Sequence, residues 1–260
     1  MIFHAQNSIV QFVPQLTINN TELERVKNFN FLGLTINENL SWKPHSEKIS
    51  NKISKYCGVL NQLKRFVPID ILRIIYCSII LSNISYSILA WGYDCGRLVK
   101  LQKKVLRIMT CSPYSSHTEP LCKALNLLKI EDILKLNTLN FIYKLNNKTL
   151  PAYFSSYHYH SQFEIHGRNT RFNHLIPTNV TATNRGQKCV RNNIPWVINS
   201  TPKTILDKID THSYQGFNQY VKKYLIDQYS YGCHIPDCYS CKKQQEAYTP
   251  APTLTPAPSP

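Results

Sequence analysis

Three cysteines near the C-terminus are, by residue type, the best candidates for a metal site. The stretch CHIPDCYSC supplies Cys233, Cys238 and Cys241, with His234 directly after the first cysteine. Three thiolates and one imidazole are the ligand types that zinc takes in structural sites. The neighbouring positions 233 and 234 cannot easily both bind one tetrahedral ion, and the spacing order is opposite to that of a usual zinc knuckle. Two interpretations stay open, a zinc site on the three cysteines or free thiols.

Residues suited to catalysis are sparse in the rest of the chain. The adjacent acidic pair Glu131-Asp132 lies where we predict a helix N-terminus, and there it complements the helix dipole. His158 and His160 alternate with tyrosines but have no cysteine or carboxylate nearby, so we interpret them as surface histidines. The sequence contains no GxxxxGK[ST], HExxH or GxSxG motif. These residues predict no catalytic constellation.

The basic residues, in contrast, form a pattern. At about 100° per residue, the stretch RLVKLQKKVLRIMT (97–110) separates into an apolar arc and an arc of cations without a carboxylate. A second amphipathic helix is predicted over 43–65, also with exposed lysines. Lys-rich helical faces suit phosphate contacts, which give affinity without reading sequence. The predicted nucleic-acid-binding residues are Lys48, Lys52, Lys55, Arg97, Lys100, Lys103, Lys104 and Arg107.

The net charge favours a polyanionic partner. The 260 residues carry a formal charge of +15, and residues 41–112 contain twelve Lys and Arg against three Asp and Glu. A basic excess concentrated in one region favours nucleic acid over membrane as the partner. The alternative is a solvated surface that only keeps the protein soluble.

Hydrophobic periodicity predicts a mainly α fold with a small β part (α+β). Alternation predicts short strands over 8–36, with a hairpin turn at Asn19-Asn20 and an apolar strand containing Gly33, where a backbone could approach closely. A helical period predicts a stretch that is bent near Ser82-Asn83 and several further helices. The predicted helical ranges are 43–65, 68–92, 97–110, 119–147 and 203–229. After Pro151 the pattern indicates mostly loops, and the final AYTPAPTLTPAPSP predicts a disordered Pro-rich tail.

Cysteine usage and hydropathy indicate an intracellular protein, in the cytoplasm or nucleus and not secreted. The nine cysteines are mostly scattered, and no apolar signal segment begins the chain, so we expect reduced thiols. The apolar stretch 71–91 contains Arg73, Asn83 and four serines, which are unfavourable in hydrocarbon. We therefore predict buried helices there and no membrane partner.

Several stretches, in order, resemble one family. FNFLGLTINENLSWKPHSEKISNKISKYCGVLNQLKRFVP resembles the region after the polymerase palm in reverse transcriptases of non-LTR retrotransposons, of the jockey and chicken-repeat type. ILRIIYCSIILSNISYSILAWG is similar to the Leu-Tyr-x-Ser to Trp-Gly run of that family, and LQKKVLRIMT to its Leu-Gln-Lys signature. The matching positions begin with Phe31, Leu32, Gly33, Leu40, Trp42 and His45, and later markers are HTEPL, Thr170 and Arg171. The likeness covers about residues 1–230 but departs from the family at WVINSTP.

The resemblance implies a domain order and a set of partners. Residues 1–40 would be a β-hairpin remnant of the palm, 41–112 a helical thumb, 113–230 a further helical C-terminal region and 231–260 a cysteine cluster with a disordered tail. Phe31, Leu32 and Gly33 would be similar to the segment that steadies the primer end. The implied partners are RNA, DNA or an RNA–DNA hybrid, together with the missing palm, fingers and endonuclease of the parent polyprotein.

The resemblance also implies what this chain lacks. The complete enzymes bind two Mg²⁺ ions on palm aspartates, two of which lie in a Tyr/Phe-x-Asp-Asp hairpin. This sequence contains no Asp-Asp. We therefore expect a C-terminal fragment of an RNA-directed DNA polymerase that binds template–primer nucleic acid, holds no cofactor of its own apart from the zinc alternative, and does not polymerise alone. The alternative is a repurposed transposon-derived module that binds protein or RNA without polymerase function.

Overall fold

A computed structural model describes residues 1–5, 15–157, 159–167, 175–178, 181 and 183–230. Within these residues the protein is mainly helical with a small β part, which confirms the predicted α+β class. The cysteines of the predicted zinc site, the predicted disordered tail, His158 and the markers Thr170 and Arg171 lie outside the described residues.

Two antiparallel hairpins form the β part. The strands are β1 (Thr17–Ile18), β2 (Thr21–Glu22), β3 (Asn28–Phe31) and β4 (Leu34–Asn37). Asn19 and Asn20 connect β1 to β2 with φ of 50° and 60°, as the predicted turn requires. The single strand expected around Gly33 is wrong: Leu32 (φ 46°) and Gly33 (φ 83°) form a second two-residue turn, which splits this stretch into β3 and β4.

Thirteen α-helices follow in the described residues, with a π-helical segment (Tyr76–Leu81) and a 3₁₀ segment (Ala152–Ser156). Their bounds are α1 (Lys43–Leu63), α2 (Ile69–Ile75), α3 (Ser82–Ser85), α4 (Ile88–Trp91), α5 (Gly96–Met109), α6 (Thr118–Ala124), α7 (Ile130–Asn146), α8 (Gln162–His166), α9 (Asn184–Gln187), α10 (Val190–Asn199), α11 (Lys203–Leu206), α12 (Lys208–Thr211) and α13 (Tyr214–Asp227). The predicted helices 43–65 and 97–110 correspond to α1 and α5.

The break in the predicted helical stretch 68–92 lies further along the chain than expected. The helix passes through Ser82 and Asn83, whose side chains donate hydrogen bonds to the carbonyls of Ser78 and Ile79, respectively. It ends at Tyr86, which is extended, and Ser87, which is left-handed at φ 51°. The Trp91 indole N–H donates to the freed Tyr86 carbonyl at 2.9 Å and so satisfies the broken end.

Three other parts of the helical pattern differ from the prediction. The predicted stretch 203–229 is divided into α11, α12 and α13. The stretch 119–147 is interrupted between α6 and α7, where Asn126 adopts φ 53°. The buried Gln102 of α5 stabilises this interruption, because its amide donates to the Leu128 carbonyl at 2.9 Å and accepts from the Ile130 N–H at 3.1 Å. Helix α10 forms where we expected loops, with Pro195 inside it and Ile194 buried.

The buried apolar side chains form one cluster. Helix α5 of the region 41–112 packs against α6 and α7, and α4 also packs against α7, so the regions 41–112 and 113–230 share this core. Trp91, Tyr76 and Phe217 are its largest fully buried side chains. No helix among the described residues is long and apolar enough to cross a membrane.

We predict that Gln102→Leu destabilises the protein strongly. The variant removes partners from the Ile130 N–H, the Leu128 carbonyl and the Tyr76 hydroxyl, which lies 2.8 Å from the Gln102 amide. Buried polar groups without partners lower the free energy of unfolding by about 3 kcal/mol in total. Urea unfolding measures the change, with the exposed Gln62→Leu on α1 as the matched control. An equal effect of the two variants would contradict the assignment.

Candidate nucleic-acid interface

Helix α5 carries the clearest basic surface. Its apolar arc is buried through Leu98, Val105, Leu106 and Met109. Four cations on the opposite arc are exposed, and we call them the α5 basic surface: Arg97, Lys100, Lys103 and Lys104. Among the described residues, no carboxylate oxygen lies within 4.0 Å of these cations. Their charge is therefore not neutralised by direct ion pairs there.

Arg107, the fifth cation predicted on this helix, has a different environment. It is half-buried, and its Nε and Nη2 donate to the Ser116 carbonyl at 3.0 and 2.8 Å. Its guanidinium also lies 5.3 Å from the centre of the Tyr114 ring. These contacts fix the loop that follows α5. A phosphate contact by Arg107 stays a prediction, and a change at this residue would also disturb the loop.

The lysines predicted on α1 are also exposed. Lys48 donates from Nζ to Asn30 Oδ1 of β3 at 3.2 Å, and Lys52 donates to Asn83 Oδ1 of α3 at 2.9 Å. These partners are neutral amides, so they hold the side chains without cancelling the charge. With Lys55, they form the α1 basic surface.

The two basic surfaces lie on different sides of α1. Burial raises the pKa of Cys57 on α1, and the nearby Lys104 ammonium of α5 opposes that rise. Lys48, Lys52 and Lys55 share an arc of about 60° whose centre is roughly 170° around the helix from Cys57. The α1 lysines therefore face away from Lys104. The structure brings together the four exposed cations of α5, but it does not join them to the α1 lysines in one stripe.

The turn at Phe31, Leu32 and Gly33, which the resemblance likens to the segment that steadies the primer end, is exposed and is held by Tyr86. Leu32 is 73% exposed and Phe31 is 54% exposed. The Tyr86 hydroxyl, at the break before α4, donates to the Leu32 carbonyl at 2.6 Å. A Cβ at Gly33 would lie 3.5 Å from the Tyr86 ring, which is an ordinary van der Waals distance, so the close backbone approach expected at this glycine is not what requires it. Its φ of 83° is the conformation that favours glycine. Tyr86 belongs to the run ILRIIYCSIILSNISYSILAWG, but its contact with this turn has no local signal in the sequence because the two are far apart along the chain.

The Trp-x-x-His part of the motif joins the β part to the helices. His45 is buried and its Nδ1 accepts the Thr35 N–H of β4 at 3.2 Å. Its ring packs edge-on against Trp91, with centroids 5.2 Å apart, and against Trp42 at 6.4 Å. Burial, assisted by the Lys48 charge, lowers the pKa of His45 and favours the neutral ring. The contacts of His45 therefore indicate a structural role, which is to join β4 to the helices.

The predicted acidic pair lies at a helix N-terminus, as expected, because α7 begins at Ile130. Asp132 accepts a hydrogen bond from the Tyr229 hydroxyl, and Lys129 pairs with Glu119 at 2.7 Å. Burial raises the pKa of Asp132. Asp132 thus helps to attach the segment that follows α13 to the start of α7. Within the described part of the chain, no group of three His, Cys, Asp or Glu residues is arranged to hold a metal ion.

We predict that His45 makes the fold sensitive to mild acid. The folded-state pKa of His45 is lowered, so the unfolded chain takes up the proton first as the pH falls through about 6.5. The free energy of unfolding should therefore decrease between about pH 7.5 and about pH 5.5, and His45→Gln should reduce this decrease. Urea unfolding at both pH values tests it. The exposed His166→Gln is the control, and an unchanged pH dependence in His45→Gln would contradict the role of His45.

The likeness to non-LTR retrotransposon reverse transcriptases stays a prediction from the sequence motifs. The structure contains two separate basic surfaces, an exposed turn held by Tyr86, and a buried histidine that joins β4 to α1. Comparison of the chain with protein-family models, with curated proteins and with solved structures finds no match.

Proposed function

We propose that this chain is the end of the palm, the thumb and the C-terminal region of a non-LTR retrotransposon reverse transcriptase, and that it binds template–primer nucleic acid. One observation carries the binding proposal. The α5 basic surface presents four exposed cations that, among the described residues, have no carboxylate within 4.0 Å. The motif order of the sequence supplies the family.

A duplex backbone fits this surface better than a specific base sequence does. Arg97 and Lys104 are separated by about 10 Å along the helix axis, which is the span of roughly three phosphates of one strand. The buried arc of α5 fixes the direction of the cations, so they need little reorganisation to meet phosphates. Such contacts do not read base edges. An RNA–DNA hybrid is therefore a suitable ligand, because its backbone and shape are the features recognised.

The proposal concerns binding, and polymerisation by this chain alone is not part of it. Phosphoryl transfer on two metal ions needs carboxylates that hold both ions close together. These 260 residues contain no Asp-Asp, and the resemblance assigns the metal-binding aspartates to a preceding part of the parent enzyme. We infer that the chain contributes affinity for the duplex, and that catalysis belongs to the missing palm.

Salt dependence tests the binding mode. If four phosphate contacts form, the association constant for an RNA–DNA hybrid should fall by roughly a hundredfold between about 50 and about 200 mM salt. The reason is that each contact releases condensed counterions from the duplex. Fluorescence anisotropy with a labelled hybrid measures the slope. Binding that does not respond to salt would contradict the proposal, and a defined oligomer without hybrid binding would favour the repurposed interaction module.

Charge reversal tests the surface itself. We expect the triple variant Lys100→Glu, Lys103→Glu and Lys104→Glu to abolish most hybrid binding and to reduce the salt slope by about one unit per lost contact. Arg107 is left unchanged because it holds the Ser116 carbonyl.

The matched control reverses three lysines of the C-terminal helices: Lys203, Lys222 and Lys223. It makes the same change in net charge, so any effect that depends only on overall charge appears in both variants. Circular dichroism establishes that both remain folded. Equal losses of affinity in the two variants would show that α5 is not the binding surface.

A further inference from the structure

A cleft of about 470 Å³ opens where three parts of the chain meet. The residue before α1 is Trp42, and α4 with the following loop contributes Leu89, Tyr93 and Asp94. The connection between α9 and α10 contributes Lys188, and α10 begins with Val190. This volume is within the usual range for small-molecule sites, and it is too small for a duplex. The cleft lies apart from the cations of the α5 basic surface, none of which lines it.

Three side chains of the cleft, Tyr93, Asp94 and Lys188, have polar groups without a protein partner among the described residues. The Tyr93 hydroxyl is buried and makes no hydrogen bond, although the Asn193 side chain lies beside it. Burial raises the pKa of Tyr93 to about 12, so the hydroxyl stays a neutral donor at physiological pH. Asp94 and Lys188 have no ion-pair partner within 4.0 Å in the described part of the chain.

The backbone around these groups is fixed. The Asp94 carbonyl accepts a hydrogen bond from the Ser46 hydroxyl of α1 at 2.7 Å, and the Asp94 N–H donates to the Trp91 carbonyl at 3.1 Å. Trp91 is fully buried. The wall that carries Tyr93 and Asp94 is therefore attached both to α1 and to the core.

We propose that this cleft binds one unstacked nucleobase, with the attached phosphate at Lys188. A base edge carries donors and acceptors side by side, and the Tyr93 hydroxyl and Asp94 carboxylate offer the complementary pair. The Trp42 ring, Leu89 and Val190 supply an aromatic and aliphatic surface for the face of the base. Lys188 supplies the positive charge for a phosphate. The inference rests on the proposed function in one respect, because it takes the base to belong to a bound nucleic-acid strand.

The test measures binding of nucleoside 5′-monophosphates and of a short single-stranded oligonucleotide to the full chain by ligand-observed NMR. We expect the wild-type chain to bind adenosine monophosphate weakly, with a Kd of about a millimolar, and the oligonucleotide more tightly. Tyr93→Phe should weaken monophosphate binding about fivefold to tenfold through loss of a hydrogen bond. Lys188→Gln should remove the preference for the monophosphate over the nucleoside.

The controls are Tyr153→Phe and Lys203→Gln, which make the same chemical changes at exposed sites outside the cleft and should leave binding unchanged. The proposal would be overturned if the wild type did not bind the monophosphate. It would also be overturned if Tyr93→Phe and Lys188→Gln both bound the monophosphate with the affinity of the wild type. A mononucleotide that binds as tightly as the oligonucleotide would overturn the assignment to a strand.

The failure of this inference can be told apart from failure of the proposed function. The triple α5 variant should keep monophosphate binding, because its cations do not line the cleft. Hybrid binding without monophosphate binding would refute the cleft alone. Monophosphate binding that is lost in Tyr93→Phe, together with no binding of the hybrid, would refute the duplex surface and support the cleft.

Discussion

The rotation of α5 about its own axis is set by its buried apolar arc together with one buried polar side chain, Gln102. Gln102 donates its amide to the Tyr76 hydroxyl and the Leu128 carbonyl, and it accepts the Ile130 N–H. Because these groups belong to the π-helical segment and to the α6–α7 connection, Gln102 can satisfy them only by pointing into the core. A helix with Gln102 inward must carry its cationic arc outward, since this arc lies roughly 160° away. A buried hydrogen-bond network thus sets the direction of the α5 basic surface.

A second junction connects the β part to this helical core. The helix breaks at Tyr86 and Ser87, and the Tyr86 carbonyl freed by this break accepts the Trp91 indole N–H. The Tyr86 hydroxyl donates to the Leu32 carbonyl and so holds the Leu32-Gly33 turn. Trp91 in turn packs against His45, which accepts the Thr35 N–H of β4. The same region forms the wall of the cleft through Tyr93 and Asp94. The helix break at Tyr86 and Ser87 therefore helps to position both the exposed Leu32-Gly33 turn and the wall of the cleft.

The sequence predicts the parts of the fold that one amphipathic period determines. The expected ranges of α1 and α5 agree with the structure within a few residues, because each helix has an apolar arc that must be buried. The α6–α7 break was not predictable in this way, since its backbone groups find their partners on Gln102, a residue of another helix. In the candidate site, the exposure of the cations follows from the pattern. The contact of Arg107 with Ser116 and the separation of the two basic surfaces depend on tertiary packing.

The separation of the two surfaces bears on which of them contributes more to binding. Lys48 and Lys52 each donate one hydrogen bond to an amide oxygen, which restricts the reach of the ammonium group but leaves two N–H donors for a phosphate. In the described part of the chain, the four cations of the α5 basic surface form no ion pair within 4.0 Å, so a phosphate there displaces no carboxylate. The proposed affinity for a duplex is therefore assigned mainly to α5, while Lys48 and Lys52 also attach α1 to β3 and α3.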